Sequence, residues 1–342
     1  MRRRILYISA ADEPAEERRP YFADSLEQVG FDIDTFYVSA QSSRARIRSA
    51  LCVPRRFAAY DLIIVSEYFL AWGCALRATL ERSRAKLVVV GLNQSRRLIH
   101  FRSGVLERLN RAIWNRFDQA VVSSRAEARI FTKLHGIDPA RFSFIHWGYD
   151  LPEVRSDRFA GRTVPYVCMI GRNNRDVETF CRAVDEAGVV GVLISPAGPI
   201  AVAGGVVEHY LDLSLDDCLS CIQHALANII LVTDENRGAG HITAVNAMFL
   251  GVPQIFSKVE TIEDYLVDGF NGIAVPVGSH VEVAAAIREL ASDKALAMKL
   301  GANGRAFAQR YMSNAAVVNR LRQVVQYLLG DMPKPEDNFS LR

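Results

Sequence analysis

Apolar and polar positions alternate in blocks along the first half of the chain. RILYIS (4–9), DIDTFYV (32–38), DLIIVSE (61–67), KLVVVGL (86–92), QAVVSS (119–124) and FSFIHW (142–147) are short apolar runs of strand length. Residues 21–29 and 126–134 between them carry helical spacing. This predicts a parallel sheet covered on both faces and wound by right-handed crossovers. The stretch 148–165 is polar, with two prolines and two glycines, and reads as a linker. The alternation then restarts. Strands are predicted over 166–171, 190–195, 206–213 and 228–233, with another starting at Gln254. Helices are predicted over 177–187, 218–227, 262–267, 281–291, 294–311 and 314–329. The reading is α/β: a doubly wound domain over 1–147, the linker, a second over 166–312, a helix over 313–330 and a tail over 331–342. No internal repeat is apparent.

Composition fits this picture. Half of the 342 residues are apolar and 23% are charged, as in globular chains large enough for two domains. No apolar run reaches the roughly 18 residues of a membrane span. MRRRILYIS is too short in its apolar part for a signal peptide, and Asp12 and Glu13 follow, so it reads as the first strand. Scattered cysteines suit a reduced, cytoplasmic protein. Cys218 and Cys221, with His224 beyond, lack a second ligand pair at metal spacing; they read as packing on a helix, and no metal is expected. Charge divides the chain: residues 1–150 hold 24 Lys+Arg against 16 Asp+Glu, the remainder 17 against 22. The basic half suits an anionic partner.

The chemistry concentrates in GAGHITAVNAMFLGVPQIFS (238–257). Gly240, His241 and Thr243 precede an apolar helical run that Gly251 and Pro253 end. A glycine at a helix start lets a ligand reach bare backbone, and first-turn amides suit a phosphate or diphosphate. Thr243 offers either a hydroxyl donor or an ordinary N-cap, and Asn246 follows on the same face. Ligands of open α/β sheets bind at the strands' carboxyl ends. Gly171 and Arg172 follow the strand 166–171, and two such domains facing each other leave a cleft onto which this loop and 234–243 open. Arg172 and Arg175 are the candidate anion-binding side chains there. The loop AADEPAEERRP after the first strand carries no G-x-G-x-x-G, which argues against a dinucleotide site in the first half.

Residues 228–312 resemble the nucleotide-sugar-dependent glycosyltransferases of the GT-B fold, especially the large retaining family 4. The segment NIILVTDENRGAGHITAVNAMFLGVPQIFS is similar to that family's donor-site strand, loop and helix, and SKVETIEDYLVDGFNGIAVPVGSHVEVAAAIREL to the following stretch with its "E-x-x-x-D-G-x-N-G" pattern. YVCMIGR resembles the strand opening the donor domain, and FIHWGYD the hinge. The resemblance implies two Rossmann-like domains and a last helix returning to the first of them. It departs at the E-x7-E motif, whose carboxylates fall on Gly238 and Asn246; Asp234 or Glu235 in the preceding loop is a candidate substitute for the first, though not at the motif's spacing. A family histidine that contacts the donor sugar falls near Asn93. G-x-x-T-x-x-N is also similar to inverting GT-B enzymes, so nucleotide binding is better founded than the retaining outcome.

The resemblance implies sugar transfer from a nucleoside-diphosphate donor, the co-substrate, to a glycan, lipid-linked glycan or small molecule, as in polysaccharide biosynthesis. No cofactor or metal is implied. Gly240, His241, Thr243, Arg172 and Arg175 would stabilise the leaving diphosphate, and Asn246 would meet the ribose. Asp12 and Glu13 are candidates for the acceptor's base, with His100 and His146 behind them. In 95–117, Leu98, Val105, Leu106, Leu109, Ile113 and Phe117 fall at helical spacing, interleaved with Arg97, Arg102, Arg108, Arg111 and Arg116. That pattern suits a helix on an anionic membrane surface, with Trp114 at an interface, or a core-facing helix with a solvated basic side. A scaffold relic that lost catalysis, and sugar transfer to nucleic acid, are the alternatives; no base-reading motif supports the latter.

Overall fold

The computed structural model describes residues 2–11, 20–39, 42–92, 104–199, 206–233 and 239–335. The chain divides into two compact units, residues 1–145 with 315–340, and residues 146–314.

In the first unit six parallel strands run β1 (Arg3–Ala11), β2 (Phe31–Ser39), β3 (Leu62–Ser66), β4 (Lys86–Val90), β5 (Gln119–Val122) and β6 (Phe142–Phe144). Their order in the sheet is β2-β1-β3-β4-β5-β6. Continuous apolar runs arise because both faces are covered. Leu6, Ile8, Ile63 and Val65 pack on one side with α2 (Ser43–Leu51), α3 (Tyr68–Leu80) and α4 (Gly104–Trp114). Ile5, Tyr7, Leu62 and Ile64 pack on the other with α1 (Ala23–Gln28) and the C-terminal helix α11 (Asn314–Leu328). Val317, Val318, Leu321, Val324 and Val325 form the buried stripe of α11 at helical spacing. The helix α5 (Arg125–His135) follows β5, capped by Ser124.

The second unit holds β7 (Tyr166–Ile170), β8 (Val190–Ile194), β9 (Val207–Tyr210), β10 (Ala227–Ile230), β11 (Gln254–Ser257) and β12 (Gly272–Val275), all parallel. Their order is β12-β11-β10-β7-β8-β9. The helices α6 (Val177–Ala187) and α9 (His280–Ser292) share a core with Val167, Met169 and Ile229. On the opposite face α7 (Leu215–Gln223) and α8 (His241–Leu250) meet Cys168, Ile170 and Val192. The last helix of the unit is α10 (Lys294–Tyr311). The segment 146–165 belongs to this unit: Phe159 is buried in its core, and Ser156 Oγ donates to Asp217 at 2.6 Å.

Three sequence expectations are corrected. Residues 262–267 are turns, not a helix, because the Asn271 side chain accepts Val267 N (2.8 Å) and donates to Tyr265 O (2.8 Å). The α7 helix begins at Leu215 rather than Cys218, since Ser214 Oγ caps it by accepting Asp217 N (3.0 Å). Trp114 is fully buried against Tyr68, Phe117 and His135, and is no interface residue. Cys221 is buried in the α7 packing, and among the described residues no cluster could hold a metal ion.

Candidate functional site

The order of the second sheet fixes where a ligand can enter. The chain proceeds from β7 to β8 and β9 on one side, and β10 to β12 lie on the other. β7 and β10 are therefore the topological switch, and the crevice opens at their carboxyl ends. Residues 171–176 follow β7; of the connection after β10, residues 231–233 and 239–240 are described.

The two loops are tied together. Asn174 Oδ1 accepts Thr233 N (3.2 Å) and Thr233 Oγ1 (2.9 Å). Asp176 N donates to Leu231 O at 3.1 Å. Asn174 holds φ 50°, a left-handed conformation that asparagine tolerates better than most residues.

Arg175 is folded back beneath this loop. Its Nε donates to Ile170 O (3.1 Å) and its Nη1 to Asn173 O (3.1 Å). A Cβ on Gly171 would stand 2.5 Å from the Arg175 Nε, so the guanidinium lies against bare backbone. Burial draws the Arg175 pKa down to about 10, which leaves it cationic at neutral pH. No carboxylate among the described residues pairs with it. A partly desolvated cation held by carbonyls alone is favoured further when an anion comes to it. Arg172 differs: it is exposed and its Nη2 pairs with Asp212 at 2.7 Å, a bond worth about 1 kcal/mol or less.

The start of α8 supplies the second half of the site. Gly240 has φ 93° and ψ −8°, and a Cβ there would meet Ile230 Cγ2 at 2.5 Å. Only glycine fits. The helix has no side-chain cap, and its first internal amide bond runs from Ala244 to Gly240 O (2.8 Å). The preceding amides face beyond the helix start, where the dipole is positive. Thr243 does not cap: it sits in the first turn, and its hydroxyl donates back to Gly240 O at 3.0 Å. Its proton is thus committed.

His241 Nε2 donates to Thr261 O (2.8 Å), and its ring meets Tyr265 edge-on at 4.6 Å between centroids. The carbonyl partner fixes the neutral tautomer and leaves Nδ1 as an acceptor. Burial, aided by the charge of Arg175, lowers the His241 pKa, so the ring is neutral at pH 7. Between the lowered value and about 6.5 the unfolded chain binds the extra proton, and stability falls as pH drops through that window. A melting series from pH 7.5 to 5.5 should show this loss, and His241→Gln should reduce it; an unchanged slope would remove His241 as the source.

Asn246 is almost fully buried and accepts Tyr149 OH at 2.7 Å. The same segment is anchored by His146, whose Nε2 donates to Asp264 O (3.0 Å), and by Trp147 N, which donates to Tyr265 OH (2.7 Å). His146 packs among Tyr265, Phe307 and Tyr311 and acts as a clamp. No sequence signal assigns a role to Asn174, Thr233 and Tyr149; the last two fall inside NIILVTDENRG and FIHWGYD, but nothing there marks these contacts. Asp12, Glu13, Asn93, His100 and Glu235 lie outside the described residues.

Two family models match separate stretches: "Glycosyltransferase Family 4" over residues 5–153 and "Glycosyl transferases group 1" over 204–307. No curated protein matches the chain. Among solved structures, a sucrose-phosphate synthase from Thermosynechococcus elongatus is 17% identical, with TM-score 0.71 over 97% of this chain and 100% of that one. A glycosyltransferase from Rickettsia africae is 11% identical, with TM-score 0.71 over 97% and 100%. Anabaena HepE in complex with UDP is 17% identical, with TM-score 0.67 over 94% and 99%. These similarities are to folds with two parallel, helix-covered sheets, as found here. With a glycosyltransferase model on each half and that fold throughout, the chain belongs to the GT-B glycosyltransferases of the group 1 and family 4 type.

Proposed function

We propose that the protein moves a sugar from a nucleoside-diphosphate-sugar to a glycan, lipid-linked glycan or small-molecule acceptor, as in polysaccharide biosynthesis. The observation that carries this is the Arg175 cation at the switch point, which meets no carboxylate among the described residues, in the same unit as the uncapped start of α8. The HepE structures with UDP and UDP-glucose support a nucleotide-sugar donor. Cleavage of the anomeric bond leaves growing negative charge on the diphosphate. The α8 amides at Gly240, His241 and Thr243, with Arg175 and Arg172, are assigned to that charge, so neither metal nor cofactor is given a role. Arg172 reaches the diphosphate by leaving Asp212, at little cost. Gly171 gives Arg175 its room, and Asn246 meets the ribose once Tyr149 yields. Asn93 and Glu235 complete the donor side, and Asp12 or Glu13 serves the acceptor. We assign a retaining outcome on the family resemblance.

Incubating the purified protein with a panel of nucleotide sugars tests this. Release of nucleoside diphosphate, and transfer when acceptors are added, is expected. Binding without release would favour the second reading, a nucleotide-binding scaffold, which Gly238 and Asn246 at the family's carboxylate positions support.

We also assign a cytoplasmic location with peripheral contact to an anionic membrane. Val105, Leu106 and Leu109 are exposed on α4 beside exposed Arg108, while Ile113 and Trp114 turn to the core. No helix among the described residues is long and apolar enough to cross a membrane. Co-sedimentation with anionic vesicles, lost when Val105 and Leu109 become Ser, is the expected result; equal binding by the variant would contradict it.

A further inference from the structure

We infer a second anion site in the first unit, at the amino ends of its central strands, opposite their carboxyl ends. A groove of about 670 Å³ opens there, lined by Arg3, Tyr60, Arg82, Arg84, Lys86 and Leu329 among others. β3 and β4 are five residues long, so it lies roughly 15 Å along the strands from their carboxyl ends. It is independent of the sugar-transfer site in the second unit.

The charges of the groove do not cancel. Arg3 is paired with Asp331 (2.7 Å), and Lys86 with Asp118 (2.9 Å). Asp61 is occupied by the amide of Arg4, which donates to its Oδ2 at 2.8 Å. Arg82 and Arg84 are exposed and pair with no carboxylate among the described residues.

These two arginines stand on a turn that is held rigid. Arg116 Nη2 donates to Ser83 O (2.7 Å) and to Ala85 O (3.0 Å). Ser83 Oγ accepts Ala85 N (3.2 Å), and Ser83 N donates to Ala78 O (3.0 Å). Ser83 and Ala85 are buried, at 8% and 3% exposure. Arg82 itself holds φ 50°. Two guanidiniums are therefore presented from a backbone fixed before any ligand arrives, which lowers the ordering cost of binding. Each guanidinium fork can hold a pair of phosphate oxygens, so a phosphate group set between the two arginines satisfies both. The groove is lined by Arg3 of β1, Lys86 of β4, the connections that lead into β3 and β4, and Leu328 and Leu329 at the end of α11. Such a concavity fits a compact phosphate group rather than an extended polymer track.

Phenylglyoxal labelling with peptide mapping tests this on the full chain. Millimolar pyrophosphate is the soluble probe, phosphatidylglycerol vesicles the lipid one, and phosphatidylcholine vesicles their control. Protection of Arg82 and Arg84 by pyrophosphate supports a soluble phosphate ligand. Protection by phosphatidylglycerol vesicles alone supports a lipid headgroup. Protection by neither, or only by single-stranded DNA, overturns the proposal. Calorimetry separates this site from the other: R82Q/R84Q should weaken one pyrophosphate site by about tenfold or more and leave UDP affinity unchanged. If UDP affinity falls equally in that variant, the two sites are not independent and the inference fails.

Discussion

Replacing Arg175 with alanine is expected to lower the affinity for UDP by about ten- to a hundredfold in titration calorimetry. The magnitude follows from the chemistry: a hydrogen bond to a charged partner contributes about 1.5–3 kcal/mol, and about 1.4 kcal/mol is a factor of ten. Arg175 meets backbone carbonyls and no carboxylate among the described residues, so a diphosphate would bring it an opposite charge. Lysine should not restore binding, because it lacks the fork that reaches Ile170 O and Asn173 O while facing a ligand. Gly171→Ala should mimic the loss, since its methyl group would displace the guanidinium. Arg172→Ala should cost less, because that side chain is exposed and already paired. Unchanged affinity in Arg175→Ala would remove this residue from the site.

A large loss of stability should come from Gly301→Ala in α10. Alanine in a helix interior normally gains about 1 kcal/mol over glycine. Here the added Cβ would lie 2.0 Å from Gly251 O and 2.9 Å from its carbonyl carbon, both backbone atoms that end α8. Neither can rotate aside, so α10 must move off α8. Overpacking of this kind costs about 3 kcal/mol or more, or roughly 6–12 °C of melting temperature in a domain of this size. Gly304→Ala is the control: its nearest neighbour is Met248 Cγ at 3.2 Å, in a flexible side chain. A thermal scan in which Gly301→Ala melts at or above the wild-type temperature would contradict the packing of α8 on α10.

The fold was legible where strands run as unbroken apolar blocks. DLIIVSE and KLVVVGL became β3 and β4 because a parallel sheet buried on both faces leaves no polar alternation. The helix α3, YFLAWGCALRATL, was hidden by the same effect: with eight residues buried it shows no polar stripe. α2 failed for the opposite reason, since Ala50 is its one buried residue among serines and arginines. β12 is four residues starting at a glycine, too short for a pattern. At the site, glycines were readable because Gly171 and Gly240 answer to backbone geometry. Side-chain partners were not. That Tyr149 occupies Asn246 depends on a contact between residues that no spacing rule links.

The position of a diphosphate in crystals grown with UDP tests the central claim most directly. Its phosphate oxygens should lie on the first-turn amides of α8 beyond Gly240 and against the Arg175 guanidinium, within charge-assisted hydrogen-bond distances of about 2.7–2.9 Å. A diphosphate bound elsewhere, with the α8 amides and Arg175 untouched, would contradict it.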